Sequence, residues 1–102
     1  MITQERWGQL SFFEQMGHVA SEISRARYWQ EKGDGAQKEK TLLRAVDLID
    51  MTISDGRWLT GCQEITRLRE IVCDRFAGTH IYDVSLENIE TYLLPFALCA
   101  RR

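Results

Sequence analysis

The chain has 102 residues and a net charge of −2, with 44% hydrophobic and 27% charged residues. That length carries one domain with one modest core, about two-thirds of the unfolded surface being buried on folding, and the composition argues against disorder. With 13 basic against 15 acidic residues there is no global field to recruit nucleic acid or an anionic membrane, and a single proline with few turn dipeptides disfavours a many-stranded β domain.

Residues 2–10 read as a short turn or fraying helix with Trp7 and Leu10 as lid residues. The first long helix starts at Ser11, where "SFFE" sets Glu14 in the capping-box position. Phe12, Met16, Val19, Ile23 and Ala26 then recur at helical spacing, widened by Phe13 and Ala20. The glycines of "KGDG" end it. Asp34, with Gln37 three residues on, caps a second helix whose stripe is Leu42, Val46, Ile49 and Ile53, flanked by Leu43 and Ala45. "SDG" at 54–56 stops that helix, and a third begins near Arg57 with Trp58, Cys62, Ile65, Leu68, Val72 and Phe76 on its apolar face. Gly78 is its natural stop. Ser85 or Asp83 caps the last helix, which carries Leu86, Ile89, Leu93, Phe96 and Ala100 on one side.

Short linkers between amphipathic helices favour antiparallel neighbours, so the expected fold is all-α, a single-domain antiparallel up-down four-helix bundle spanning residues 1–102. Leu42, Val46, Ile49, Ile65, Leu68 and Val72 should share its core. Pro95 inside "YLLPFALCA" should kink or restart the last helix. That segment is apolar nearly all round, with Tyr92, Leu94 and Leu98 off the core stripe, so it needs cover on a second face. A homo-oligomer built through the C-terminal helix supplies it most simply.

Cys62, Cys73 and Cys99 are odd in number, far apart and set in apolar patterns, which reads as buried reduced thiols. "MITQERWGQL" has no apolar run of a secretory leader, and no stretch approaches the roughly 20 apolar residues of a membrane span. A cytoplasmic protein without membrane contact is expected.

Chemistry is sparse. Glu14, His18 and Glu22 fall four residues apart on one helix face, and Asp47, Asp50, Glu70 and Asp74 lie on other helices. Such a set can hold a metal, but Glu14 belongs to the capping box, and a solvated face is the better reading. No metal or other cofactor is expected. "SRARYW" interleaves Arg25 and Arg27 with Tyr28 and Trp29, a pattern that can pair phosphate and stack bases, but that more often snorkels across the edge of a bundle and covers apolar surface. "DRFAGTHIYD" sets Arg75, His80 and Tyr82 in the spacing R-x4-H-x-Y.

This last spacing resembles the motif of HEPN-type ribonucleases and their toxin–antitoxin relatives. The resemblance implies that His80 would act in acid–base chemistry on a ribose 2′-hydroxyl and Arg75 would hold phosphate. Asp74 would orient the imidazole, and Tyr82 would take a regulatory or substrate-contacting place. In the HEPN pattern a polar residue usually follows the arginine; here Phe76 does, and Gly78 would break the helix, so the segment also reads as a helix-ending loop. "LSFFEQMGHVASEISRARYWQEKGD", "LLRAVDLIDMTISD", "RLREIVCDRF" and "LPFALCARR" together resemble a bacterial family of short all-helical proteins of unassigned function, over about residues 10–101. That family's loop, D-Y-F-x-G-x-N-x-Y, matches Asp74, Phe76, Gly78 and Tyr82, and has Tyr and Asn where this chain has Arg75 and His80.

The reading that these features support is a non-enzymatic, self-associating helical interaction or accessory protein, with a protein partner as a further expectation. The alternatives are a HEPN-like, metal-independent ribonuclease or toxin component using Arg75, His80 and Tyr82, and a small RNA-binding bundle using Arg25, Arg27, Tyr28 and Trp29.

Overall fold

The computed structural model describes residues 2–55, 57, 62–77 and 84–100, the side chains at 62, 63, 77 and 96–100 excepted. The described residues form five helices and no strand: α1 (Gln4–Trp7), α2 (Phe12–Glu31), α3 (Gly35–Ser54), α4 (Cys62–Ala77) and α5 (Leu86–Ala100). The protein is all-α.

Local chemistry explains the helix boundaries. Ser11 Oγ accepts from the Glu14 N–H at 3.1 Å while Glu14 Oε1 accepts from the Ser11 N–H at 3.0 Å, so two orphan donors of α2 are satisfied reciprocally. At the other end of α2, Gly33 adopts φ +75°, a left-handed conformation that glycine takes without a Cβ clash. Its N–H donates to Gln30 O and that of Asp34 to Trp29 O, the two bonds of a Schellman turn. Asp34 then caps α3 through the Gln37 N–H at 3.1 Å, so one short turn closes one helix and opens the next. Of the two candidate caps for α5, Ser85 serves: its Oγ accepts from the Asn88 N–H at 3.1 Å.

The tight turn folds α3 back antiparallel along α2, and α2 packs on its other side against α5, while α4 packs against α3. One apolar cluster joins these elements. It includes Met16, Val19 and Ile23 of α2, Leu42 and Ile49 of α3, Ile65, Leu68 and Val72 of α4, and Leu86, Ile89 and Leu93 of α5. All six of the core residues expected from the sequence are in it.

Three expectations change. The N-terminal segment forms a short helical turn as expected, capped by Thr3, but Trp7 is no lid: it is fully buried in the central cluster. Its indole Nε1 donates to Thr52 Oγ1 at 3.1 Å, its carbonyl accepts from Gln15 Nε2 at 2.9 Å, and Gln4 Nε2 reaches Met51 O at 2.9 Å. Phe13 and Leu43 are exposed because each lies about 100° round the helix from a core neighbour, past the edge of the buried stripe. Phe76 is exposed as well, on the last turn of α4. Of the two outcomes expected at Pro95, a kink or a restart, the restart does not occur, and α5 includes the proline. Trp58, Cys62, Phe96 and Cys99 lie outside the described side chains, and Cys73 is a half-buried free thiol.

Candidate functional site

Between α4 and α5 runs a groove of about 520 Å³, within the size range of small-molecule and peptide-side-chain pockets. Leu68 and Ile71 form its α4 wall, Val84, Ile89 and Tyr92 its other wall, and Glu64, Arg67 and Asn88 its polar borders. Leu68 and Ile89 are buried in its floor, Ile71 and Val84 are half-buried, and Tyr92 is 50% exposed. The groove follows from spacing: Leu68 and Ile71, like Ile89 and Tyr92, are three apart and share a helix face. On the α4 border, Arg67 Nε lies 3.8 Å from Glu70 Oε2, an exposed pair. The arrangement offers apolar contact and hydrogen bonding, with no pair of titratable groups poised for proton transfer among the described lining residues.

Of the surface expected on the last helix, Tyr92 and Leu94 are both exposed, and the side chain of Leu98 lies outside the description. Tyr92 faces the groove, whereas Leu94, two residues on, is turned about 200° round the helix. Apolar character alone could not separate these two faces.

The R-x4-H-x-Y residues are described only in part. Arg75 closes α4 with its side chain 14% exposed and its Nη2 3.4 Å from Asp74 Oδ2, the Asp74 side chain being buried too. His80 and Tyr82 lie outside the described residues, so the expected trio is placed at one of its three positions.

The arginine–aromatic segment of α2 is built into ion pairs. Arg25 Nη1 donates to Glu22 Oε1 at 2.7 Å, and Arg27 Nη1 donates to Glu90 Oε1 of α5 at 2.7 Å. Arg27 Nε is also 3.3 Å from Glu31 and 3.8 Å from Glu87. Hydrogen bonding to Glu90 raises the Arg27 pKa further, so this cation is permanent and already matched by three carboxylates. A phosphate brought there meets a locally negative surface. Tyr28 and Trp29 meet edge to face at 5.0 Å, and the Lys32 ammonium sits 5.6 Å over the Tyr28 ring.

Glu14, His18 and Glu22 do not converge on a common point: Glu14 is held by Ser11, which lowers its pKa through backbone and then side-chain hydrogen bonds, and Glu22 turns to Arg25. Among the described residues no group of three His, Cys, Asp or Glu side chains could hold a metal ion, and no helix is long and apolar enough to cross a membrane. Sequence reasoning missed the burial of Gln15, Thr41 and Thr52. It also missed Asp55, which accepts from Gln15 and Arg57 at the far end of α3.

No family model, curated protein or solved structure compared with this chain matches it.

Proposed function

We propose that the chain is a non-enzymatic helical interaction protein that self-associates, its four long helices forming an antiparallel up-down bundle braced by α1. The groove takes the same face of a second copy. The observation that carries this reading is the apolar wall formed by Ile71, Val84, Ile89 and Tyr92 beside a border of both signs, Glu64 and Arg67. A two-fold axis along such a border lets Arg67 of one copy approach Glu64 of the other, and one surface covers its own duplicate. Cys73, a free thiol, suits a reducing compartment, and a cytoplasmic location belongs to the same proposal.

Light scattering at micromolar concentration tests it. A dimer is expected, at twice the chain mass of 11.9 kDa. Tyr92→Glu should return the monomer with the far-ultraviolet helical spectrum intact. A clean monomer of the unaltered chain at high concentration would overturn the reading.

A further inference from the structure

Away from the groove, where α1 meets α2 and α3, a second cavity of about 350 Å³ is bordered by Ile2, Trp7, His18, Glu22, Arg44 and Leu48. Helical spacing builds it. His18 and Glu22 lie one turn apart on α2, Arg44 and Leu48 one turn apart on α3, and the turn at Gly33 brings the two pairs together. Glu22 is buried, at 8% exposure. Its Oε1 accepts from Arg25, but its Oε2 is closed to solvent and no protein group among the described residues donates to it. On the Oε2 side, Arg44 Nη1 stands 4.0 Å away, beyond hydrogen-bonding distance, on a side chain that is 52% exposed.

A buried carboxylate oxygen without a donor is a costly arrangement that a ligand's N–H or O–H relieves. Charge narrows the ligand further. Among the described lining residues Glu22 is the one carboxylate and Arg44 the matching cation, while Arg25, outside the lining, is already paired with Glu22 Oε1. A bare ammonium leaves Arg44 unmatched, and a plain anion satisfies Arg44 but gives nothing to Glu22. The apolar surface of Ile2, Trp7 and Leu48 suits a hydrocarbon group.

We infer that this cavity binds a small carboxylic acid bearing an α-ammonium or α-hydroxyl group and a hydrocarbon side chain. The ligand carboxylate pairs with Arg44, its α-donor bonds Glu22 Oε2, and its side chain lies over Trp7 and Leu48. The inference is independent of the groove and of self-association.

The test is a nuclear magnetic resonance titration of the full chain with four probes at millimolar concentration: L-leucine, its 2-hydroxy analogue, 4-methylpentanoate and 3-methylbutylamine. Saturable shifts at the His18, Glu22 and Arg44 amides are expected with leucine or the hydroxy acid. The two probes lacking either the α-donor or the carboxylate should bind at least about tenfold more weakly. Glu22→Gln and Arg44→Met should each abolish the shifts while keeping a folded spectrum. Whether leucine or the hydroxy acid binds tighter identifies the donor. The inference is overturned if no probe gives saturable shifts at these residues, as when Arg44 or water simply closes on Glu22. Equal binding of all four probes, or shifts that survive both substitutions, would also overturn it.

Discussion

Asp55 ties together three parts of the chain: Gln15 of α2 donates to its Oδ2 at 3.1 Å, and Arg57 donates to it from both Nε and Nη2 while also reaching Leu10 O at 2.7 Å. Hydrogen bonding from Arg57, above all, holds the Asp55 carboxyl at about 2, against an ordinary 3.8. The folded state therefore binds this proton less readily than the unfolded chain. The stabilisation is fully present above pH 3.8 and is lost as pH falls towards 2. Urea midpoints measured across that window should drop for the unaltered protein and drop less for Asp55→Asn, which starts lower at neutral pH. Glu14, whose pKa is lowered chiefly by the Ser11 backbone N–H, acts with the same sign and accounts for part of the slope that remains. Single residues were the least legible scale in the sequence. Asp55 reads as part of a helix stop and Glu22 as a solvated helix charge, and only the fold reveals that one gathers donors and the other is buried with an oxygen unmet. Arg27 reads as a free cation beside two aromatics until α5 places Glu87 and Glu90 against it.

At the scale of elements, much more was written in the chain. Caps at Ser11, Asp34 and Ser85 are short-range chemistry, and the buried stripes of α2 to α5 follow a period that needs no tertiary information. The edges of those stripes were not legible, since Phe13 and Ala20 look equivalent beside the α2 stripe, yet only Ala20 is covered by a neighbour. The α2–α3 turn gives a test with opposite signs. Gly33 has a positive φ and open space around it, so Gly33→Ala pays only for backbone strain and should destabilise by about 1 kcal/mol. Gly35, at the first position of α3, also has open space but no positive φ, and Gly35→Ala should stabilise by about 0.5 kcal/mol by restricting the unfolded chain. Chemical denaturation of the two variants side by side checks both.

At the scale of the whole molecule, buried residues from all five helices meet in one cluster. One core implies one cooperative unfolding transition. Ile49, fully buried, is among the largest side chains there. Ile49→Ala should cost about 2–5 kcal/mol through lost burial and a residual cavity, with an unchanged denaturant slope. Exposure of Ile49 to solvent in solution measurements would contradict the packing. All-helical architecture was visible in periodicity alone, whereas the groove between α4 and α5 was not, because a groove is a relation between two faces and each face reads separately as ordinary core edge.

Trp7 has a consequence for the order in which the molecule is made. It is synthesised before the groups that seat it: Thr52, 45 positions later, and the apolar faces of α2 and α3. During synthesis the largest aromatic of the core must wait, exposed, until the α2–α3 hairpin exists, and only then can the N-terminal segment close over it. The α1 segment is thus a late arrival in the fold, and the hairpin is the template on which it is received.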